Sequence, residues 1–295
     1  MVGRRCISVF LCAFSYSGLQ NPIDYKLPSD CYYGWKWKEI YPDLIDVTRF
    51  YCDDTDARCM CVYNLSSDWV YVVFRGTDSK QDLVVDFSVL KSEMRFLQDN
   101  GEGIDVHAGF RIQFNATIRF ILNYLKKYPE RKGVVCCGHS LGGALATICA
   151  CYLKDEKHES NVKCINFGSP RTGNGRFAQE VNRLVEVERV VVGSDPVADI
   201  PTRLRWHHAG KKTLYSNYKR VKCVETDSWW NVIKIPNVML LKDHGISKYV
   251  DSVSRDECEG NAPPKDAEQW TNEERLFIGL SIIMIYALFL ILRKK

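Results

Sequence analysis

Ser140 lies in a short pattern that is typical of a serine nucleophile. The pattern is Gly-His-Ser-Leu-Gly at residues 138–142, between an apolar run and the small-residue, helix-favouring residues 144–152. It predicts a strand, a sharp turn and a helix, with the serine at the turn in strained backbone geometry. The flanking glycines would let strand and helix pass closely. The Ser140 oxygen would then stand above a helix N-terminus, which favours developing negative charge.

A serine nucleophile of this kind needs an acid and a base, which follow it in the chain in the order serine, acid, histidine. Asp195 directly follows the apolar run at residues 187–192, and Pro196 fixes the turn after it. Asp199 is the nearest rival, four residues further on. The position directly after a strand favours Asp195 as the acid that orients the histidine.

The base must come from a histidine later in the chain. His207, His208 and His244 are the candidates. We prefer His244 because it lies in a loop near the end of the domain, and we expect the other two to be structural or near the acyl groove. His244 would take the proton of the serine as general base and return it to the leaving alcohol. His139 is expected to pack away from the face of the serine, and His107 to be a structural histidine.

A tetrahedral oxyanion needs backbone N–H donors. Leu141, the residue after the nucleophile, would supply one of them. The second donor should come from a loop after an earlier strand, and Thr77 fits that place because it follows the apolar run at residues 69–74. Thr77 and Leu141 are therefore the predicted oxyanion hole.

The elements that must position these residues alternate between strand and helix. Apolar runs predict strands at 69–74, 133–139, 162–167 and 187–192, and the apolar face of residues 110–125 predicts a helix that Pro129 ends. This alternation indicates an α/β fold with a mostly parallel central sheet and helices on both faces. A chain of 295 residues is long enough for one large domain of this class.

Six motifs in order resemble the class 3 lipases, the fungal-lipase-like branch of the α/β-hydrolases. They are Phe74-Arg75-Gly76-Thr77, Val106-His107-Ala108-Gly109-Phe110, Gly138-His139-Ser140-Leu141-Gly142-Gly143-Ala144, Phe167-Gly168-Ser169-Pro170-Arg171, Asp195-Pro196-Val197 and His244. The resemblance implies an α/β-hydrolase with catalytic Ser140, Asp195 and His244, and Thr77 and Leu141 in the oxyanion hole. It also implies that the segment after Thr77 is a lid, although Leu83 stands where the family often has tryptophan.

The activity that the resemblance implies is that of a serine lipase or esterase. It would hydrolyse glycerolipid esters of the triacylglycerol type through an acyl-enzyme on Ser140. A phospholipase or monoacylglycerol-type activity is the alternative among enzymes, because no motif separates these substrates. A non-catalytic lipid-binding protein on the same fold is the alternative outside enzymes.

Composition excludes several other classes. A net charge of +4, with 46% hydrophobic and 26% charged residues, is that of a globular protein and gives no reason to expect a nucleic-acid partner. The thirteen cysteines show no paired C-x-x-C zinc spacing, so we expect no metal site, and the serine mechanism requires no cofactor. Those near the elbow should be core residues, and others could form disulfides in an oxidising compartment.

Both ends of the chain are hydrophobic. Residues 276–292 carry no charge and are followed by the basic tail 293–295, which predicts a transmembrane helix after a linker at 256–275. Residues 1–18 fit either a signal peptide or the N-terminal helix of the domain, since two arginines precede a nine-residue apolar core. The lipase domain itself is predicted at 19–255.

The predicted topology is a single-pass membrane protein with a lumenal or extracellular domain. The basic tail at 293–295 favours a cytosolic C-terminus, which would put the domain across the membrane. Sequons at Asn64 and Asn115 fit a glycoprotein on that side. The competing topology is a tail anchor with a cytosolic domain. In either case the expected partners are the lipid ester and the membrane.

Overall fold

A mixed β-sheet forms the centre of the protein. The computed structural model describes residues 4–17, 43–76, 91–93, 103–201, 205–221 and 243–257. Within this part of the chain, eight strands form the sheet. In sheet order they are β1 (Leu44–Cys52), β2 (Ala57–Asn64), β3 (Trp69–Phe74), β6 (Gly133–His139), β7 (Val162–Phe167), β8 (Glu186–Val192), β9 (Lys211–Ser216) and β10 (Lys219–Val221). The strands are parallel from β3 to β9 and antiparallel at both edges.

Helices cover both faces of this sheet, as predicted. One face packs against α2 (Ala108–Leu125), α3 (Leu141–Asp155) and α4 (Gly175–Leu184). The other face packs against α1 (Arg4–Ser15) and α5 (Ile246–Glu257). The central strands alternate between the two clusters, since side chains of a strand point to opposite faces in turn. In β3, for example, Val72 belongs to the first cluster and Tyr71 to the second.

Helix α1 is part of the hydrophobic core. All ten residues from Cys6 to Ser15 are buried, and the helix packs against the central strands and against α5. Each fully buried side chain such as Leu11 or Phe14 stabilises the fold by roughly 1.5–3 kcal/mol. Residues 4–15 therefore form a helix that packs into the core of the domain.

Two short strands, β4 (Lys91–Glu93) and β5 (Asp105–His107), form a separate antiparallel pair. Strand β5 leads into α2, and the His107 side chain caps that helix by accepting a hydrogen bond from the Gly109 N–H at 3.2 Å. The cysteines near the elbow are buried free thiols, as expected for core residues.

Some predictions concern residues that the structure does not describe. Thr77, Leu83 and the proposed lid lie outside the described residues, and so do residues 258–275 of the predicted linker and the predicted transmembrane helix at 276–292. Residues 256 and 257, which were assigned to the linker, are instead the end of α5. Among the helices that are described, none is long and apolar enough to cross a membrane.

Candidate active site

Ser140 occupies the sharp turn between β6 and α3. Its φ of 59° and ψ of −130° place it in a region that non-glycine residues rarely adopt. Neighbouring glycines make the turn possible. A Cβ on Gly138 would lie 2.1 Å from the carbonyl oxygen of Gly142, and a Cβ on Gly142 would lie 2.2 Å from that of Phe74. The strand–turn–helix geometry predicted from the sequence is present.

Asp195 lies just beyond β8 and is 1% exposed. Its Oδ2 is 2.8 Å from Nδ1 of His244 and also accepts a hydrogen bond from the Tyr249 hydroxyl. Its Oδ1 accepts from the backbone N–H of Val197 at 2.9 Å. Both oxygens are therefore held, and the carboxylate has one orientation toward the imidazole.

The structure distinguishes among the three candidate histidines. His244 is 4% exposed and is the one bonded to Asp195. The Nε2 of His208 instead bonds the carbonyl of Ala198 at 2.7 Å, and burial holds the pKa of this ring well below its usual value. His207 bonds the carbonyl of Gly173 through its backbone N–H at 2.8 Å.

Asp199, the rival acid, lies in the 3₁₀ turn Pro196–Asp199 that follows Asp195. Its carboxylate is 3.9 Å from the guanidinium of Arg171, which also donates to the carbonyl of Asp199 and, at 2.8 Å, to that of Pro201. Arg171 is 2% exposed, so these bonds are inside the protein. Asp199 thus takes part in the contacts with Arg171 that hold the loop after Asp195 in place.

A glycine beside the acid allows the loops to meet. Gly168 has a φ of +57°, and a Cβ there would lie 2.6 Å from Oδ2 of Asp195 and 3.1 Å from Nδ1 of His244. The preceding residue, Phe167, accepts the backbone hydrogen bond of Ser140 through its carbonyl at 2.9 Å. The end of β7 therefore touches the nucleophile on one side and the acid and base on the other.

Asp243, next to the candidate base, connects the histidine loop to the acid loop. Its Oδ2 accepts a hydrogen bond from the backbone N–H of Ser194 at 3.1 Å. The space above Gly193, whose φ is +56°, is filled by the same carboxylate. The residues directly before Asp195 and His244 are thus joined, which fixes the distance between the two loops.

The two atoms that would exchange the proton are both buried. Ser140 is 1% exposed, and in the described part of the chain neither its Oγ nor Nε2 of His244 has a hydrogen-bond partner. Since Nδ1 of His244 faces a carboxylate, Nδ1 carries the proton and Nε2 has the lone pair. That is the tautomer that a general base requires.

The oxyanion site is described in part. Leu141 is the first residue of α3, so its N–H has no acceptor within the helix. Thr77 is outside the described residues, but its neighbour Gly76 packs against the elbow. A Cβ on Gly76 would lie 2.6 Å from the carbonyl oxygen of His139 and 3.1 Å from Cβ of Ser140. The chain that leads into Thr77 therefore runs directly beside the serine.

His139 is a buried packing residue, and the residue that it packs against is the candidate base. Its ring stacks on that of His244, with centroids 4.7 Å apart, a contact that the sequence did not predict. Its Nε2 is 2.8 Å from the carbonyl oxygen of His244. Burial, and secondly the charge of His244, hold the pKa of His139 well below its usual value, so this ring is neutral.

Sequence reasoning also missed Tyr249 and Gly168. Tyr249 follows the base by five residues on α5, and nothing in its neighbourhood marks it as a partner of a residue 54 positions earlier. Gly168 does stand in one of the six motifs, although its role depends on a contact between distant loops. The described residues contain no cluster of three or more side chains that could hold a metal ion.

Comparisons with known proteins agree with this geometry. Residues 71–204 match the family model "Lipase (class 3)". The lipase of Rhizomucor miehei is 30% identical over 166 residues, which are 53% of this chain and 44% of that protein. The secreted mono- and diacylglycerol lipase 1 of Fusarium solani is 37% identical over 103 residues, covering 34% of this chain and 30% of that protein. The matched region thus spans less than half of the length of these curated relatives.

A solved triacylglycerol lipase has the same fold. Its catalytic centre is described as a serine protease triad, and it aligns with a TM-score of 0.64 and 25% identity, over 81% of this chain and 91% of its own. The family match covers the elbow, the acid loop and the strands between them, and the observed sheet is that of an α/β-hydrolase. Over residues 71–204, this chain is similar to the class 3 lipases.

Proposed function

We propose that this protein is a serine lipase that hydrolyses carboxylic esters of glycerolipids of the triacylglycerol type. The observation that carries the proposal is the buried hydrogen bond between Asp195 and His244, next to Ser140 in its strained turn. The match of residues 71–204 to the class 3 lipase model supports the same reaction class. The three roles follow from the geometry of the site.

In the first half of the reaction, Ser140 Oγ attacks the ester carbonyl while Nε2 of His244 takes its proton. The bond from oxygen to carbon forms, and the carbonyl oxygen becomes an oxyanion that the Leu141 N–H and, we propose, Thr77 stabilise. The ester C–O bond then breaks, and His244 returns the proton to the leaving alcohol. Asp195 stabilises the imidazolium throughout.

In the second half, water replaces the alcohol. His244 takes a proton from the water, the hydroxide adds to the acyl carbon, and the bond to Ser140 breaks. The serine recovers its proton from His244, and a fatty acid is released. The proton that Ser140 gave up has left with the alcohol, and a proton from water replaces it. The enzyme is thus restored, and the reaction consumes only ester and water.

A second candidate substrate class is mono- and diacylglycerol. It is favoured by the similarity to the Fusarium solani enzyme, which is a lipase for mono- and diacylglycerol. Phospholipid is a third class, and binding without catalysis is the alternative outside enzymes. One panel of substrates separates all four.

The experiment compares the purified full chain with its Ser140→Ala variant. Emulsified triacylglycerol, diacylglycerol, monoacylglycerol and phosphatidylcholine vesicles are offered separately, and released fatty acid is measured. We expect the wild type to release fatty acid fastest from acylglycerols and the variant to release none above background. A variant as active as the wild type would exclude Ser140 as the nucleophile, and an inactive wild type would leave the lipid-binding alternative.

We also propose that residues 276–292 anchor the chain in a membrane, which would keep the site close to its lipid substrate. The proposal is supported by the seventeen uncharged residues before a basic tail. Extraction of cell membranes with alkaline carbonate tests it. The full chain should stay in the membrane pellet, whereas a chain ending at residue 275 should be released. Release of both would contradict the anchor.

For the orientation, we propose the tail-anchored topology with a cytosolic domain. Helix α1 is buried in the core, so cleavage of a signal peptide would remove part of the domain. The first sequon is poorly placed, because Asn64 is 5% exposed. In the second, Asn115 is exposed, whereas the Thr117 hydroxyl is buried and bonded to the carbonyl of Phe114 at 2.8 Å. Protease added to intact microsomes should digest the domain. Protection, together with a mass shift on glycosidase treatment, would show the lumenal topology instead.

A further inference from the structure

The C-terminal end of α1 reaches the catalytic loops through Tyr16. This tyrosine follows the last residue of α1, and its backbone N–H bonds the carbonyl of Ala13 at 3.2 Å. Its hydroxyl is 2.9 Å from Nδ1 of His139, the residue before the nucleophile, and the two rings meet edge to face with centroids 5.9 Å apart. The guanidinium of Arg75 lies over the tyrosine ring, 5.3 Å from its centroid.

The direction of the hydrogen bonds at His139 can be assigned. Its Nε2 faces the carbonyl oxygen of His244, and a carbonyl can only accept, so Nε2 carries the proton. A neutral ring with a proton on Nε2 has a lone pair on Nδ1. The hydroxyl of Tyr16 therefore donates to Nδ1, and this bond selects the tautomer that holds the backbone of His244.

The same hydroxyl lies against the loop that leads to the oxyanion site. A Cβ on Gly76 would come within 2.4 Å of the Tyr16 oxygen, as well as touching the carbonyl of His139 and Cβ of Ser140. Gly76 is thus enclosed by the tyrosine on one side and the elbow on the other. Although the Tyr16 side chain is partly exposed as a whole, burial of its hydroxyl end raises the pKa of the phenol, so the donor keeps its proton.

We propose that Tyr16 is a positioning residue for the reaction. It joins the three loops that must stay in register: the oxyanion loop at Gly76, the nucleophile elbow at His139, and the base loop through the carbonyl of His244. This inference rests on the proposed function of Ser140. It assigns a functional role to the N-terminal helix, which brings the tyrosine from the opposite end of the chain to the site.

The consequence differs from that of a tyrosine that only fills space. Without the hydroxyl, His139 has no donor on Nδ1, and its proton can move from Nε2 to Nδ1. The carbonyl of His244 then loses its hydrogen bond, and the imidazole is less well placed toward Ser140. Placement of the base affects the chemical step, so the change should appear in kcat and leave KM almost unaltered.

The test uses the purified full chain and a soluble short-chain p-nitrophenyl ester. Tyr16→Phe should lower kcat about tenfold to a hundredfold, as misplacement of a catalytic group does, with KM within about twofold. Tyr71→Phe is the matched control. It removes the hydroxyl of a buried tyrosine on β3, in the apolar cluster that α1 joins, and should leave kcat unchanged.

His139→Gln gives a second measurement. Its side-chain amide can still donate to the His244 carbonyl but offers no acceptor in the position of Nδ1. In this background, Tyr16→Phe should have no further effect, whereas independent effects would multiply. This comparison remains informative if Tyr16→Phe is less stable, because a general loss of stability would lower kcat in the His139→Gln background as well, whereas loss of the Tyr16–His139 hydrogen bond would not.

The outcomes separate the inference from the function on which it rests. An inactive wild type would contradict the lipase assignment itself. An active wild type with an equally active Tyr16→Phe would overturn only the role of Tyr16. Two further results would also overturn it: a change confined to KM, or effects of Tyr16→Phe and His139→Gln that multiply fully.

Discussion

At the scale of single residues, Asp195 is held by more than its bond to the base. Tyr249 donates to the same oxygen that receives His244, and the backbone of Val197 holds the other oxygen. Burial, and secondly the charge of Asp195, raise the pKa of Tyr249, so its hydroxyl stays a neutral donor. The acid therefore keeps its orientation before any substrate binds.

Removal of the Tyr249 hydroxyl should slow the chemical step. We expect Tyr249→Phe to lower kcat about tenfold, because hydrogen bonds to charged groups contribute roughly 1.5–3 kcal/mol and the Val197 bond remains. Tyr124→Phe is the control, since that buried hydroxyl bonds the carbonyl of Asp46 at 2.6 Å, on the other face of the sheet. Ester hydrolysis measures both variants. An unchanged kcat in Tyr249→Phe would show that the carboxylate needs no such support.

His139 predicts how stability depends on pH. The pKa of its ring is held below 6.5 in the folded protein, chiefly by burial, with the His244 ring and the Tyr16 hydroxyl facing it. The unfolded chain takes up a proton near pH 6.5 and the folded protein does not. This contribution is therefore fully present above pH 6.5, and as the pH falls below it the free energy of unfolding decreases by up to about 1.4 kcal/mol per pH unit.

Urea denaturation of the wild type and His139→Gln at several pH values between 7.5 and 5 measures how much His139 contributes to the pH dependence of the free energy of unfolding. The other titrating groups are common to both proteins, so the difference in slope belongs to His139. We expect the variant to lose less stability on acidification. Identical slopes would mean that the folded protein accepts a proton on this ring.

At the scale of elements, the nucleophile elbow depends on the close approach of three backbone segments. Strand β3 passes beside α3 where Gly142 faces the carbonyl of Phe74, and β6 passes beside α3 at Gly138. Both contacts are between backbone atoms, which cannot rotate away as a side chain could. The glycine spacing in the sequence therefore encodes the packing of strand on helix.

Gly142→Ala should disrupt the domain. Its methyl group would lie 2.2 Å from a backbone oxygen, so we expect a loss of more than about 4 kcal/mol, measured by thermal or chemical unfolding. Gly175→Ala, at the start of α4, is the matched control because the nearest atom lies 3.6 Å from the new Cβ. Its stability should equal or slightly exceed that of the wild type. Equal stabilities of the two variants would argue against the close packing at the elbow.

These elements explain which parts of the fold could be predicted from the sequence. Strand β3, the elbow and β8 were visible because apolar runs and glycines act on neighbouring positions in the chain. The contact of His139 with the base and that of Tyr249 with Asp195 were not visible, since each joins residues 54 or more positions apart and depends on how loops meet. Helix α1 fitted two interpretations, because a nine-residue apolar core suits a signal peptide as well as a buried helix.

At the scale of the whole molecule, α1 completes the apolar cluster on one face of the sheet. Phe10 is 2% exposed and lies within that cluster. If the helix stays in the mature protein, Phe10→Ala should lower the free energy of unfolding by about 3–5 kcal/mol. Ile112→Ala is the control, because this side chain is 53% exposed on α2 and its loss should change stability by less than about 0.5 kcal/mol.

The measurement is chemical denaturation of protein purified from its cellular membranes. A Phe10→Ala protein as stable as the wild type would show that the N-terminal segment had been removed during maturation. If the segment were cleaved after Tyr16, that result would also remove Tyr16 from the site. The stabilising role of α1 and the positioning role of Tyr16 therefore both require that the helix stays in the mature protein.

The central claim is that Ser140 is an activated nucleophile with Asp195 and His244 as its partners. A fluorophosphonate probe forms a covalent bond only with such a serine, and peptide mass spectrometry locates the label. We predict labelling of the folded wild type at Ser140, no label there in Ser140→Ala, and labelling in His244→Ala slowed by about a thousandfold or more. An unlabelled wild type, or equal labelling of the wild type and His244→Ala, would contradict the claim.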